Sequence, residues 1–331
     1  MTEFKAYYID QTKNGKMNAE IKTISTEDLP ASDVLIQVHY SSVNYKDGMI
    51  STPGNPMVKD YPIIPGIDLA GIIVHSKDDR FQEGDAVIAT SYEIGVSHHG
   101  GFSEYASVPG DWVVPLPDGL TLEESMIYGT AGFTAALSVH KLEKNGLTPE
   151  DGPVLVTGAT GGVGSMAVAM LAKRGYEVEA STGSEEHKDY LLDLGAARVI
   201  SRVDVYDGKL KALGKQRWAA AIDPVGGKQL ASLLSQLKYE GAAAVSGLTA
   251  GTDVPTQVYP FILRGINLLG IDSVYCPMET RKEIWSRLAD DLKTTDAFEK
   301  IKVEILLDQV PGTLTSILEG KTRGRTIVKL G

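Results

Sequence analysis

Residues 154–164 read Val-Leu-Val-Thr-Gly-Ala-Thr-Gly-Gly-Val-Gly and run directly into Ser-Met-Ala-Val-Ala-Met-Leu-Ala-Lys-Arg. A short apolar, β-branched run, a glycine cluster and a helix-compatible stretch ending at Gly175 spell strand, tight turn, helix. Gly158, Gly161, Gly162 and Gly164 allow the backbone to turn sharply and approach a pyrophosphate, whose charge the first amides of the helix can meet. A glycine-rich turn by itself says little. Flanked in this way, it predicts a dinucleotide site.

Downstream, strands are expected at Glu177–Ser181, Arg198–Ile200, Trp218–Ile222, Ala242–Ser246 and Leu268–Ile271, with helical segments such as Glu185–Leu194 and Lys228–Leu237 among them. Alternating strand and helix predicts a doubly wound parallel sheet that binds its ligand at the carboxyl ends of the strands. Upstream the texture differs. Val34, Ile36, Val38 and Tyr40 alternate with Leu35, Gln37, His39 and Ser41. Turn signals such as Pro53-Gly54-Asn55-Pro56 and Pro117-Asp118-Gly119 punctuate short apolar runs, the pattern of a compact β-barrel. Thr121-Leu122-Glu123-Glu124 reads as a helix start. The short strands Lys302–Leu306 and Thr326–Leu330 are expected to rejoin the barrel. The predicted division is 1–124 with 298–331, and 125–297.

A chain of 331 residues accommodates two cores, and its net charge of −11 argues against nucleic-acid or anionic-membrane binding. One cysteine, Cys276, excludes an intrachain disulfide and a multi-cysteine zinc site. No apolar run of about 18 residues and no basic, then apolar, leader is visible, so a cytoplasmic protein is expected.

The second strand of the sheet bears on cofactor choice. NAD-selective sites place a carboxylate about 20 residues beyond the glycines, whereas this strand ends in Ser181-Thr182-Gly183-Ser184, whose hydroxyls and amides can hold a phosphate. Lys188 and Arg202 are basic candidates nearby, or plain solvated surface charges as such residues usually are, and Glu179, on the same strand face as Ser181, counts slightly against a phosphate. NADPH is the predicted cofactor.

Barrel first and dinucleotide domain second, the chain resembles the medium-chain dehydrogenase/reductase superfamily from end to end. Within it, Asn44-Tyr45-Lys46-Asp47, Gly129-Thr130-Ala131-Gly132-Phe133-Thr134-Ala135, Pro260-Phe261-Ile262-Leu263-Arg264-Gly265, Gly270-Ile271-Asp272-Ser273 and Gly324-Arg325-Thr326 resemble the YhdH/YhfP group, known as quinone-oxidoreductase-like proteins and NADPH-dependent acrylyl-CoA reductases. The resemblance implies an α/β protein with a GroES-like β-barrel catalytic domain and a doubly wound Rossmann domain. It further implies pyrophosphate contacts from Thr160, Gly161, Gly162 and Val163, an Arg202 contact to the 2′-phosphate, and a Thr130 contact near the nicotinamide ribose. Leu248, Ile262 and Ser273 would lie along the cofactor, and Arg325 near the pyrophosphate. Most apolar residues in such a domain are nevertheless core, which is the plainer reading of Leu248 and Ile262. The superfamily's zinc-ligand positions fall near Asn44 and at Gly66-Ile67-Asp68; isoleucine cannot bind a metal, so no zinc is expected.

Conjugate reduction develops negative charge on a carbonyl oxygen, and a proton must then reach the α-carbon. Tyr45 offers a hydroxyl donor and a ring. Lys46 and Asp47 could orient it or shuttle a proton, or Asp47 could cap the following turn and Lys46 point to solvent. Two substrate classes stay open. An acyl-CoA thioester calls for cations such as Lys46, Lys59, Arg264 and Arg281; a quinone needs only a flat apolar slot. A non-catalytic NADPH-binding protein is the reading from another class. A homodimer joined along a Leu268–Ile271 edge strand is expected.

Overall fold

The computed structural model describes residues 2–11, 17–52, 55–58 and 60–331. The turn at Pro53-Gly54 and the side chain of Lys59 lie outside the described residues. In chain order the strands are β1 (Glu3–Gln11), β2 (Met17–Ser25), β3 (Val34–Val43), β4 (Asp68–Ser76), β5 (Ala86–Thr90), β6 (Tyr105–Val108), β7 (Val113–Pro115), β8 (Val154–Val156), β9 (Val178–Thr182), β10 (Arg198–Ser201), β11 (Trp218–Asp223), β12 (Leu237–Val245), β13 (Asn267–Gly270), β14 (Lys302–Leu306) and β15 (Arg325–Lys329).

The first compact unit comprises Met1–Thr130, Val274–Glu283 and Lys302–Gly331. Its main sheet runs β14-β15-β3-β4-β5-β7, with β6 also paired to β3, and β1 pairs with β2 separately. Alternation along β3 buries Val34, Ile36 and Val38 against Leu69, Ile73, Val87 and Ala89. Past Val38 the strand changes character: Ser41, Ser42 and Val43 are all buried, so polar groups enter the interior and need internal partners.

The second unit comprises Ala131–Ser273 and Ile284–Ile301. Its parallel sheet has the order β10-β9-β8-β11-β12-β13. Numbered within the sheet this is 3-2-1-4-5-6, the doubly wound order, and the direction of winding reverses between β8 and β11. All three residues of β8 are buried, as expected of a strand covered on both faces. The helix Gly162–Lys173 follows with Gly161 as its cap and packs closely on the turn before it. A Cβ at Gly164 would stand 2.3 Å from the Gly158 carbonyl oxygen, so only glycine lets the helix sit this near the strand.

Three segments group differently from the sequence expectation. Residues 125–130 and 274–283 group with the barrel, and 298–301 with the parallel sheet. Thr121 does open a helix: its hydroxyl accepts from the Glu124 amide at 3.1 Å, and the Glu124 carboxylate accepts from the Thr121 amide at 2.8 Å. The helical stretch Leu122–Lys144 is broken at Gly129 (φ 50°, ψ −156°), and the unit boundary follows Thr130. Elsewhere the shifts are small. The segment expected as helix to Leu237 ends at Leu234, because Leu237 already begins β12.

Gly129 is required for two reasons. Its φ lies in the left-handed region, and a Cβ there would come 2.4 Å from Ser42 Oγ and 2.6 Å from both Arg325 Nη2 and Asp68 Oδ2. Gly129→Ala should therefore lower stability by about 2–4 kcal/mol in denaturant titrations. Gly270→Ala, where a Cβ would meet nothing within 4 Å, should leave the midpoint nearly unchanged.

Candidate functional site

In the first unit the polar interior is organised by Asp68, which is 0 % exposed. Its Oδ2 accepts from Ser42 Oγ (2.6 Å), Asn44 Nδ2 (2.7 Å) and the Thr130 amide (2.9 Å). Its Oδ1 accepts from Thr130 Oγ1 at 2.5 Å, and Thr130 Oγ1 also lies 3.0 Å from Ser91 Oγ. Arg325 Nη2 stands 3.7 Å from this carboxylate. The remaining guanidinium hydrogens go to the carbonyls of Ile127 and Val43, to Asn44 Oδ1 and to Ser42 Oγ, at 2.7–3.1 Å.

This corrects one expectation. Arg325 is 2 % exposed and its donors are spent inside the barrel, so it does not offer them to a pyrophosphate. A buried carboxylate demands a counter-charge, and Asp68 claims the guanidinium first.

Asp47 is corrected for a similar reason. It lies in the short helix Tyr45–Ile50 and is 0 % exposed, accepting from the Asn44 amide (2.8 Å) and the Ile67 amide (3.0 Å). It fastens the loop to the residue before Asp68 and has no surface through which to meet a substrate. Burial, aided by the negative charge of Asp68, pushes its carboxyl up to about 7. Tyr45, by contrast, is 40 % exposed and Lys46 is half-buried, so the ring and hydroxyl of Tyr45 are available to a ligand.

Of the cations proposed for an acyl-CoA, Arg281 is 1 % exposed, bonded to Thr90 and Val274 and stacked over Tyr92. Arg264 donates to the carbonyls of Ser235, Leu237 and Gly214. Both serve the fold. The histidine pair is likewise used in packing: His98 Nε2 lies 2.6 Å from the Ser107 carbonyl, and His99 Nδ1 accepts from the Ile64 amide at 3.4 Å.

In the second unit the carboxyl edge of the sheet gathers most of the expected cofactor residues. Thr160, Gly161, Gly162 and Val163 are half-buried at the start of the helix after β8. Asp223 ends β11 and was not anticipated. Buried, it accepts from Thr157 Oγ1 (2.6 Å) and the amides of Gly226 (2.6 Å) and Val225 (3.2 Å), which ties the ends of β8 and β11 together where the winding reverses. Desolvation raises its pKa. The Asp-Pro-Val-Gly-Gly turn that follows was the available signal.

At the end of β9, Ser181 and Thr182 are buried, and Thr182 Oγ1 accepts from the Ser184 amide at 3.1 Å. Gly183 is exposed, and the exposed Arg202 lies directly against it: a Cβ on Gly183 would fall 1.7 Å from Arg202 Nη2. Sequence places these two residues 19 apart; the fold joins them. Lys188 is exposed one turn further on. At the end of β12, Ser246, Gly247 and Leu248 line a cavity of about 470 Å³ together with Val245, Gly270, Ile271 and Asp272. Ser246 Oγ and Ser181 Oγ are buried without a hydrogen-bond partner, as polar atoms reserved for a ligand would be. Leu248 (54 % exposed) and Ile262 (69 % exposed) are not core, against the plainer reading of both. Ser273 is half-buried three residues past β13.

Residues 30–118 match the sequence profile described as alcohol dehydrogenase GroES-like domain, and residues 162–290 that described as zinc-binding dehydrogenase. The chain belongs to the medium-chain dehydrogenase/reductase superfamily. It is an oxidoreductase of the zinc-free YhdH/YhfP branch. It is 63 % identical over 314 residues to YhfP of Bacillus subtilis, a protein named provisionally for quinone oxidoreduction, with 95 % of each chain covered. A crystal structure of YhfP with NAD bound superposes with a TM-score of 0.97 at full coverage of both chains. Identity to the acrylyl-CoA reductase AcuI of Ruegeria pomeroyi is 47 % over 98 % of each chain. The YhdH oxidoreductase of Salmonella enterica, crystallised with NADP, aligns at 45 % identity and TM-score 0.95 over 99 % of this chain and 100 % of that one.

Zinc does not fit the donor set. Ile67 is apolar, Asn44 and Asp68 are hydrogen-bonded to one another, and a guanidinium already neutralises Asp68. Among the described residues no group of three His, Cys, Asp or Glu side chains could hold a metal ion. A nicotinamide dinucleotide fits better: the close Gly164 approach, the Arg202 guanidinium against the exposed Gly183, and the unpartnered hydroxyls of Ser181 and Ser246 are groups that such an anionic, polar cofactor can use. No helix among the described residues is long and apolar enough to cross a membrane.

Asp47 sets a pH dependence. Its folded pKa of about 7 exceeds the ordinary aspartate value of 3.8, so the folded state holds a proton that the unfolded state releases. Stability from this group is full below about pH 4 and is lost as pH rises through about 7. Asp47→Asn should flatten the decline in Tm between about pH 4.5 and 7.5; a native protein with no such decline would contradict the assignment.

Proposed function

We propose that the protein is a zinc-independent, NADPH-dependent reductase of activated carbon–carbon double bonds whose substrate is an enoyl thioester of the acrylyl-CoA type. The observation that carries the cofactor choice is Arg202 lying against Gly183, at the end of a strand whose last residues, Ser181 and Thr182, carry no carboxylate. A planar guanidinium over an exposed backbone turn suits a phosphate dianion. Gly183 and Ser184 are assigned to the 2′-phosphate with Arg202, and Thr160 to Val163 to the pyrophosphate. Leu248, Ile262 and Ser273 are assigned to the nicotinamide half, whereas the amide and hydroxyl of Thr130 are already given to Asp68. The substrate class is supported by the 47 % identity to AcuI across nearly the whole chain.

The cofactor, when bound, supplies the hydride. The protein must then hold the acceptor and meet the charge that develops on its carbonyl oxygen. Tyr45, exposed on its helix, is assigned to donate its hydroxyl to that oxygen and to pack its ring against the reacting groups. Lys46 is its neighbour at the surface. Asp47 keeps the loop in place through the Asn44 and Ile67 amides. Quinone reduction is the second reading, favoured by the name given to the 63 %-identical YhfP.

The edge position of β13 and the exposure of Leu268 support a homodimer joined along that strand. A concentration-independent monomer in sedimentation would refute it.

NADPH oxidation measured side by side with acrylyl-CoA, free enones and quinones decides the substrate; the thioester should give the highest kcat/KM by about tenfold or more, equivalent to about 1.4 kcal/mol. A higher value for quinones would select the second reading. Arg202→Ala should raise KM for NADPH by about tenfold or more and leave that for NADH within about twofold, since the interaction lost is a charged phosphate contact. An equal effect on both cofactors would remove the 2′-phosphate assignment. Tyr45→Phe should lower kcat; full turnover would demote the hydroxyl.

A further inference from the structure

Glu179 is the one carboxylate on β9, two residues before Ser181 and on the same strand face. The parallel register sets it opposite Arg198 of β10, and the Arg198 guanidinium meets its Oε1 at 2.7 Å. From the far side of β8, the fully buried indole of Trp218 donates to Oε2 at 2.8 Å. Arg217 approaches the same oxygen at 3.8 Å while its guanidinium covers the Trp218 ring at 4.0 Å. Two cations and an indole N–H thus converge on one carboxylate that is 7 % exposed. The sheet neighbours on this face, Leu155 and Ile200, are apolar, and the carboxylate supplies the acceptor that the buried Trp218 indole requires.

We propose that Arg198, with Trp218 and Arg217, neutralises Glu179 so that the end of β9 accepts a 2′-phosphate, making Arg198 a positioning residue for cofactor choice that never touches the cofactor. The inference rests on the assignment of that phosphate to Gly183, Ser184 and Arg202. The strand rises about 3.3 Å per residue, so Glu179 lies within roughly 15 Å of Gly183. Through a protein interior, an uncompensated carboxylate at that range still repels a dianion. Arg198 is itself half-exposed, with 59 % of its side chain accessible, so its removal empties one side of the carboxylate without opening the core.

The test is direct binding, read by the change in nicotinamide fluorescence on titration with NADPH and with NADH. At low ionic strength, Arg198→Ala should weaken NADPH binding by about three- to tenfold and leave NADH within about twofold. The double variant Arg198→Ala with Glu179→Gln should restore NADPH binding to within about twofold of native, because the repelling charge is gone. The defect of the single variant should shrink in about 0.5 M salt. An equal loss for both cofactors, no loss at all, or a double variant no better than the single one would overturn the proposal; the last result would mean that Arg198 acts on the phosphate itself. Arg202→Ala separates the two levels. If it alters the NADPH-to-NADH ratio and Arg198→Ala does not, only this inference fails. If neither variant alters the ratio, the phosphate assignment falls as well.

Discussion

A carboxylate buried at 0 % exposure must be answered from within, and Asp68 of the barrel is answered by almost everything around it. Ser42, Asn44 and Thr130 donate to it, Arg325 supplies the charge, and Gly129 leaves the space that this crowd occupies. Removing one member of such a pair typically costs about 3–5 kcal/mol, because the other charge is left buried and alone. The short helix bearing Tyr45 depends on the same assembly: Asn44 caps it while bonding Asp68, and Asp47 anchors it to Ile67. The positions from which related enzymes offer ligands to zinc are thus filled by a closed set of hydrogen bonds. Tyr45, on that helix, stays exposed.

The parallel sheet solves a different electrostatic problem. Its carboxyl edge has to receive a polyanion, and two of the acids near it are turned inward. Asp223 turns inward to bind Thr157 and the following backbone amides, and Glu179 is covered by Arg198 and Trp218. At the surface stand a helix start, an exposed glycine and an arginine, with the exposed Glu185 and Glu186 following that glycine. A chain with a net charge of −11 can bind an anionic cofactor because the local field, not the total, is what the ligand meets.

Much of this was legible in residue order. The strand–turn–helix at 154–173, the alternation in β3 and the Thr121 helix start are local patterns, and each appears in the structure within a few residues. Arg325 and Asp47 were misassigned because their residue types are those of ligand-binding groups, and nothing local reveals that a charge is buried. Arg281 and Arg264 failed as substrate cations for the same reason. Leu248 and Ile262 erred in the opposite direction: apolar side chains default to the core, yet both are exposed.

By itself, the sequence determined the order of the two domains, the position of the pyrophosphate turn and the lack of a carboxylate at Thr182 and Gly183, because periodicity, glycine spacing and residue identity are properties of short segments. Only the tertiary structure decided which charges are spent and which are free. The ion pair of Asp68 with Arg325 forms across strands far apart in the chain, that of Glu179 with Arg198 across consecutive strands joined by a crossover, and burial, which sets their value, exists only once the core has closed. Val154–Gly164 announces that a nucleotide binds. Whether its extra phosphate is welcome depends on residues brought beside that turn by the winding of the sheet.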